Sequence, residues 1–116
     1  MQLGLNQWAL SGEWRLAEGA VALNKAGGRI ACGFQARDLH LVMGPSSRET
    51  SVRFRVTLDG QPVAASHGVD VDEQGNGTVR EQRLYQLIRQ PKPVTERRFE
   101  IEFLDAGAEA FAFTFG

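Results

Sequence analysis

The sequence predicts an all-β fold, a jelly-roll β-sandwich, and three observations support this prediction. Apolar and polar residues alternate with a period of two through several segments, which is the pattern of half-buried strands. Turn signals rich in glycine separate these segments at intervals of about 8–12 residues. No long stretch shows the 3.6-residue period of an amphipathic helix. The 116 residues suit one core, so residues 1–116 are expected to form a single domain.

The clearest alternation lies in three segments, at residues 51–59, 98–105 and 111–115. In the last segment, Phe111, Phe113 and Phe115 are expected to share the strand face that packs on the core. The connection at residues 105–108 is short and contains glycine. The last two segments are therefore expected to pair as an antiparallel hairpin.

The segment RLYQLIR, residues 83–89, fits two patterns. Leu84, Leu87 and Ile88 would share a helical face, whereas Tyr85, Leu87 and Arg89 would share one side of a strand. The β-rich surroundings favour the strand, which would place Tyr85 and Arg89 side by side. Charged side chains of two central segments are expected to pair across neighbouring strands, namely Arg53 and Arg55 with Glu100 and Glu102.

The charge balance and hydropathy exclude several classes of partner. Thirteen basic and fourteen acidic residues leave a net charge of −1 without a basic cluster, so a nucleic-acid partner is not expected. No apolar run approaches the roughly 20 residues that span a bilayer, so no membrane insertion is expected. The first four residues lack a basic region and an apolar region, and no signal peptide is predicted. Their abrupt transition into a strand is compatible with a domain cut from a longer protein.

No combination of residues in the sequence indicates catalysis. Nucleophilic catalysis requires a base beside a nucleophile, and only His40 and His67 provide imidazoles. His40 alternates with two leucines and is expected on the surface. Cys32 is the only cysteine, which excludes an internal disulfide and a CxxC pair, and its phase with Ile30 and Phe34 predicts a buried, inert thiol. The chain is therefore expected to be non-catalytic and to need no cofactor.

An acidic stretch resembles the calcium loop of an EF-hand. Asp70, Asp72, Gly75 and Glu81 fall at positions 1, 3, 6 and 12 of such a loop, with Gln74 at position 5. The candidate calcium ligands are Asp70, Asp72, Asn76 and Glu81. No helices flank the stretch, and acidic segments rich in Gly and Asn also form ordinary solvated turns, so the turn is favoured.

Three amphipathic aromatic residues are candidates for ligand binding. An exposed ring of Trp8, Trp14 or Tyr85 can stack on the C–H face of a sugar while a neighbour such as Arg89 bonds the sugar hydroxyls. The alternative is that both tryptophans close the core and their N–H groups find partners at its edge, which is favoured for each taken singly.

The order of several distinctive runs resembles the C-terminal domain of the DipZ-type thioredoxin-family proteins. The resemblance covers nearly the whole chain and is carried by runs at residues 8–14, 28–34, 36–45, 52–60, 67–72, 83–89 and 99–116. The most distinctive of these are ARDLHLVMGP and RLYQLIR. The resemblance implies a galactose-binding-like jelly roll, similar to carbohydrate-binding modules, which follows a thioredoxin-like domain in an extracytoplasmic protein. The CxxC of that family would lie in the thioredoxin-like domain.

Two functions follow from the resemblance. The first is a non-catalytic accessory module that binds carbohydrate or the neighbouring thioredoxin-like domain and so positions the redox domain. The second is a structural β-sandwich that packs on that domain or on a copy of itself and has no sugar ligand. Exposure of the three aromatic rings distinguishes these alternatives, because fold analogy alone does not establish sugar binding.

Overall fold

The computed structural model describes Leu5 and residues 7–116 of the chain. The N-terminal stretch for which no signal peptide is predicted, Met1–Gly4, lies outside the described residues. The described chain forms eleven strands: β1 (Trp8–Ser11), β2 (Trp14–Ala17), β3 (Ala20–Leu23), β4 (Arg29–Phe34), β5 (Asp38–Pro45), β6 (Val52–Leu58), β7 (Gln61–Pro62), β8 (Asn76–Val79), β9 (Arg83–Arg89), β10 (Arg97–Phe103) and β11 (Ala108–Phe115). One 3₁₀ turn, Ala64–Ser66, follows β7. No helix in the described part of the chain is long and apolar enough to cross a membrane.

The strands form two antiparallel sheets that pack face to face. Sheet A has the order β1-β4-β10-β6-β7, and β8 also pairs with β6. Sheet B has the order β2-β3-β11-β5-β9. Two antiparallel sheets with this mixed strand order confirm the predicted all-β jelly-roll sandwich.

Alternating apolar side chains from both sheets form one core between the layers. In β6 the buried Val52, Phe54, Val56 and Leu58 alternate with residues that face solvent, as the sequence predicts. Phe54 and Phe103 meet edge to face with ring centroids 6.4 Å apart, within the range that favours aromatic pairs. The inward residues of β10 are fully buried in the same cluster.

The predicted hairpin between the last two segments is wrong. β10 pairs with β4 and β6 in sheet A, whereas β11 pairs with β3 and β5 in sheet B. The intervening residues therefore carry the chain from one sheet to the other. Backbone bonds hold this crossing on both sides, because Leu104 N–H donates to Arg53 O at 2.8 Å and Gly107 N–H donates to Leu23 O at 3.0 Å.

The cross-strand ion pairs also differ from the predicted ones. Arg29 on β4 bridges Glu100 at 3.1 Å and Glu102 at 3.3 Å. Arg53 instead binds Asp105 beyond the end of β10, with its Nη2 atom 2.8 Å from Oδ1. β6 and β10 are neighbours as expected, and Arg55 lies opposite Glu102, but Arg29 on the other side of β10 is the residue that forms ion pairs with both glutamates.

Residues 83–89 form strand β9, as favoured, but a β-bulge changes which side chains share a face. The register with β5 shifts between Leu39 and His40, so Leu39 lies opposite Ile88 and His40 lies opposite Gln86. Leu87 is the extra residue of the bulge. Tyr85, Leu87 and Ile88 are all buried, whereas Arg89 is exposed. The predicted side-by-side placement of Tyr85 and Arg89 is therefore wrong, because the bulge reverses the alternation between them.

Candidate functional site

An aromatic cleft opens at one edge of the sandwich, where β1 and β2 lie. Its volume is about 460 Å³, and Trp8 stands at its rim with 53% of its surface exposed. All of the described lining side chains are apolar, and most come from β3, β4 and β11. The lining comprises Trp8, Ala17, Gly19, Ala20, Val21, Ile30, Cys32, Leu41, Ala110, Phe111, Ala112, Phe113 and Phe115. We call this surface the aromatic cleft.

The rings in the cleft are held by one another rather than left loose. The Trp8 indole meets the Phe113 ring edge to face with centroids 5.9 Å apart, and Phe113 makes the same kind of contact with the buried Phe99. Phe115 stacks on Phe34 at 6.1 Å. The exposed Trp8 therefore sits on a chain of rings that leads into the core, and this packing limits the conformations that its indole can adopt.

A β-bulge in β11 places an additional ring in the cleft. The register with β5 shifts between Ala110 and Ala112, so Phe111 is the extra residue. Phe113 lies opposite the buried Leu41, and Phe115 lies opposite Leu39. The expected shared face holds for Phe113 and Phe115, and Phe111 lines the same cleft although it is the extra residue of the bulge. Phe115 is 41% exposed and Phe113 is partly buried, so this face covers the end of the core incompletely.

Trp14 has a structural environment rather than a binding one. Its indole packs edge to face on Phe103 with centroids 5.9 Å apart. Its Nε1–H donates to Ser11 O at 2.9 Å. This is the core-edge alternative that the sequence favoured for a tryptophan, and it leaves Trp14 outside the lining of the cleft.

Tyr85 is buried, and the prediction that its ring can stack on a ligand is wrong. Only 1% of the residue is exposed, and its hydroxyl donates to Glu81 O at 2.7 Å. The guanidinium of Arg83 covers the ring, 3.8 Å from its centroid. The other candidate of this pair, Arg89, points away from the core and lies 3.8 Å from the Asp38 carboxylate.

The acidic stretch folds as a turn, and its carboxylates bind protein groups. Asp72 Oδ1 accepts N–H bonds from Gln74 at 3.0 Å and Asn76 at 2.9 Å, which is the geometry of an Asx turn. The Asp70 carboxylate receives two bonds from Arg83, and Glu81 lies 3.5 Å from the same guanidinium. Within Leu5 and residues 7–116, no three His, Cys, Asp or Glu residues are grouped for a metal ion. The structure does not bring the four candidate calcium ligands together.

The local electrostatics of Asp70 explain why this turn is stable. Partial burial opposes ionisation of the carboxyl group, but hydrogen bonds from the Arg83 guanidinium and the Gln86 N–H outweigh it. The pKa of Asp70 is therefore lowered from its ordinary value. The ionised group links the turn to β9, since the Gln86 N–H lies 2.7 Å from Oδ2.

The polar side chains that a sugar would require lie on another surface. The outer face of sheet A carries a shallow depression of about 190 Å³, lined by Arg29, Arg55, Thr57, Gly60, Glu100 and Glu102. Trp8 belongs to the inner face of the same sheet, because it lies opposite the buried Cys32. The exposed aromatic ring and this group of polar side chains are therefore on opposite sides of sheet A.

The cysteine and the two histidines, which the sequence offers as possible reactive groups, are buried or hydrogen-bonded to the protein. Cys32 lines the cleft but is 1% exposed, and burial raises the pKa of its thiol to about 11. His40 is on the outer face of sheet B, where its Nδ1 lies 3.3 Å from the Thr114 hydroxyl oxygen. His67 Nδ1 contacts the carbonyl oxygens of Gly68 and Val71 at 2.9 and 3.0 Å, so this nitrogen carries the proton and ties the loop together.

Solved structures share this fold at low sequence identity. A family two carbohydrate esterase from Clostridium thermocellum, solved with cellohexaose, superposes with a TM-score of 0.74 at 10% identity over 95% of this chain and 31% of that one. A family two carbohydrate esterase from Cellvibrio japonicus superposes with a TM-score of 0.67 at 14% identity, over 93% of this chain and 30% of that one. The acetyl xylan esterase Est2A from Butyrivibrio proteoclasticus superposes with a TM-score of 0.62 at 11% identity, over 98% of this chain and 32% of that one. The chain thus spans about a third of these proteins, and the likeness shows the fold alone.

Comparison at the level of sequence gives the family. No curated protein matches the chain. A family model described as the thioredoxin-like C-terminal domain matches residues 1–116. Because this match covers all 116 residues, the chain belongs to the family of thioredoxin-like C-terminal domains.

Proposed function

We propose that this chain is a non-catalytic accessory module of a thioredoxin-family protein, and that its aromatic cleft holds the thioredoxin-like domain of the same protein. The observation that carries this proposal is the half-exposed Trp8 at the rim of a cleft whose described lining is apolar. Exposed aromatic residues around a concave apolar surface are typical of protein interfaces. Burying Trp8 and its neighbours against a partner would remove this apolar surface from water.

The chemistry of the lining favours a protein ligand over a sugar. A sugar needs hydrogen-bond partners for its hydroxyl groups as well as a flat ring, and unpaired hydroxyls buried in an apolar cleft are costly. The described lining provides aromatic and aliphatic side chains but no charged or amide side chain. An apolar segment of protein can pack its side chains against the aromatic and aliphatic side chains of this lining.

The thioredoxin-like domain is the partner that the family membership favours. The matching family model is described as a thioredoxin-like C-terminal domain, and this description supports a thioredoxin-like domain earlier in the same protein. The chain enters β1 at Trp8, at the rim of the cleft, so a domain that precedes β1 is tethered beside the cleft. Tethering of this kind raises the local concentration of a partner to about the millimolar range, which compensates for a modest intrinsic affinity.

Isothermal titration calorimetry tests the proposal with the thioredoxin-like domain of the same protein, expressed separately. Trp8→Ala is expected to weaken binding by about tenfold or more, because it removes the large exposed aromatic ring that the partner would bury. Leu84→Ala is the matched control, since Leu84 is 40% exposed on the outer face of sheet B, opposite Val42. No measurable binding at millimolar concentration, or equal losses in the two variants, would overturn the proposal.

Carbohydrate binding is the second candidate, and the exposure of Trp8 is the observation that favours it. A ring that is 53% exposed leaves one face open for stacking on a sugar. The fold likeness to carbohydrate esterases adds a reason for testing it, although it is not evidence for a ligand. A glycan array and a polysaccharide pull-down with the chain provide the test. Binding that is lost in Trp8→Ala and kept in Leu84→Ala would support this candidate, and clean negatives would remove it.

A further inference from the structure

At the side of the sandwich that holds the cleft, β1 is the edge strand of sheet A and β2 is the edge strand of sheet B. Across the inner face of sheet B, one row of opposed residues runs from β5 to β2, and its members are Met43, Ala110, Val21 and Leu16. Exposure rises along this row from 0% at Met43 to 87% at Leu16. Leu16 at the far end of the row is uncovered, and among the residues that the structure describes sheet A has no strand beyond β1.

The inner face of sheet A shows the same gradient toward its edge. Leu58, Phe99 and Cys32 are buried, and the row then ends at Trp8, which is 53% exposed. The neighbouring row ends at Leu10, which is 38% exposed beside a fully buried isoleucine of β4. Trp8, Leu10 and Leu16 are therefore inward-facing side chains in a sandwich that is incomplete at this edge.

The backbone at this edge is also arranged for pairing. Gly33 N–H donates to Gln7 O at 2.9 Å, so Gln7 and Gly33 form a hydrogen-bonded pair between β1 and β4. In an antiparallel ladder such pairs alternate, which directs the N–H and C=O groups of Ala9 and Ser11 toward β4. The N–H and C=O groups of Trp8 and Leu10 consequently point away from β4, toward the outer edge of the sheet.

We infer that the thioredoxin-like domain contributes an extended segment that adds to β1 as a further strand of sheet A. This inference rests on the proposed function and specifies the form of the partner. The segment forms main-chain hydrogen bonds with Trp8 and Leu10 and places apolar side chains at alternate positions over the cleft and Leu16. Strand addition of this kind takes its affinity from the backbone bonds and its specificity from the pockets that receive alternate side chains.

The position of β1 favours this occupant over a free partner. An unpaired edge with exposed apolar side chains is a hazard for aggregation, and native proteins cover or blunt such edges. In the described chain, β1 contains no lysine, proline or inward-pointing charge, which are common means of blunting. A segment that precedes β1 in the same protein is tethered to the edge, so it binds at a high effective concentration without a bimolecular encounter.

Hydrogen exchange measured by NMR tests the inference in the chain alone and in the full-length protein. In the chain alone, the amides of Trp8 and Leu10 are expected to exchange rapidly, whereas those of Ala9 and Ser11 are protected by β4. In the full-length protein, protection of the Trp8 and Leu10 amides is expected to rise by about tenfold or more. Unchanged rapid exchange at both amides in the full-length protein would overturn the inference.

Leu10→Pro provides a second test. The N–H that proline removes at this position points away from β4, so the pairing of β1 with β4 keeps its hydrogen bonds. Leu10→Ala is the matched control that shortens the side chain and keeps the N–H. Leu10→Pro is expected to weaken binding of the separately expressed thioredoxin-like domain by about tenfold relative to Leu10→Ala, while the amide protection of Ala9 and Ser11 stays unchanged. Equal affinities of two folded variants would contradict strand addition.

The outcomes separate this inference from the proposed function. Binding that depends on Trp8 without new protection at Trp8 and Leu10 means that the cleft holds the domain by side chains alone, and only the inference fails. Absence of binding removes the proposed function. Protection of both amides in the chain alone, together with a mass that doubles with concentration in sedimentation, means that a second copy covers the edge and overturns the inference.

Discussion

Trp8 and Trp14 begin successive strands, and their rings have different environments. Trp14 has its N–H satisfied by Ser11 O and its ring packed on Phe103. The Trp8 ring contacts Phe113. Its strand, β1, is at the edge of sheet A, and no described strand lies beyond it. Of the two tryptophans, Trp8 is the one that leaves an aromatic surface open to a partner, so the proposed interface depends on Trp8.

Tyr85 is predicted to contribute to stability through its hydroxyl group. The hydroxyl donates to Glu81 O at 2.7 Å and accepts an N–H bond from Arg80 at 3.2 Å, and the residue is 1% exposed. Tyr85→Phe is expected to lower the free energy of unfolding by about 1 kcal/mol, because it removes the hydroxyl that bonds the backbone of Arg80 and Glu81. Urea denaturation at pH 7 measures this change. A variant as stable as the parent chain would show that these bonds contribute nothing.

Cys32 is predicted to be unreactive although it lines the cleft. Burial raises the pKa of its thiol to about 11, so only about one molecule in a thousand carries the thiolate at pH 8. Alkylation by iodoacetamide at pH 8 is expected to be slower in the native chain than in urea by about 100-fold or more. Mass spectrometry of quenched samples follows the reaction. Similar rates in the two states would contradict the burial of this thiol.

Asp70 is predicted to make the stability of the chain depend on pH in the acidic range. Its pKa in the folded state is lowered, and such a group stabilises the fold at pH values above its unfolded pKa of about 3.9. This contribution is lost as the pH falls through the folded pKa. Asp70→Asn is therefore expected to be less stable than the parent chain at pH 7 and to approach it as the pH falls through the lowered folded-state pKa of Asp70. Thermal denaturation across this range measures the difference, and a difference independent of pH would refute the assignment.

At the scale of elements, two β-bulges decide what the strands present. The bulge at Leu87 separates Tyr85 from Arg89, and the bulge at Phe111 adds a ring to the cleft. Period-two alternation correctly predicts β6 and β10 as strands, because one face of each is buried. Residues 83–89 also fit a helical face, and only their β-rich surroundings favour the strand that the structure shows. A bulge inserts one residue without breaking the run of apolar side chains, so alternation alone does not reveal it.

The turn before β8 depends on the absence of a side chain at Gly75. Gly75 has a φ of +86°, and a Cβ there would collide with the carbonyl oxygen of Val56. Gly60 is the matched control, because its φ is +76° and a Cβ added there would have no heavy atom within 4 Å. Gly75→Ala is expected to cost about 1–3 kcal/mol more than Gly60→Ala, which reports the backbone strain alone. Equal costs in urea denaturation would show that the contact with β6 is relieved easily.

At the scale of the whole molecule, the cleft lies at the side where β1 and β2 are the edge strands of the two sheets and the end of the core is incompletely covered. The sandwich and most of its core are predictable from the sequence, because the inward residues of β4, β6 and β10 follow simple alternation. The order of strands is not, since it depends on which edges meet in space. The predicted hairpin of the last two segments fails for that reason. Of the candidate site, the sequence predicts Trp8 as a candidate ring and Phe111, Phe113 and Phe115 as one strand face. The position of Leu16 beside them depends on the order of strands in sheet B.

Chemical-shift mapping of the isotopically labelled chain, titrated with the separately expressed thioredoxin-like domain, tests the central claim most directly. The account predicts shifts at Trp8, Leu10, Leu16 and Phe113, with unperturbed signals at Leu84 and at Glu100 on the outer faces of the two sheets. Shifts confined to those outer faces, or a spectrum that does not change at millimolar domain, would contradict the account.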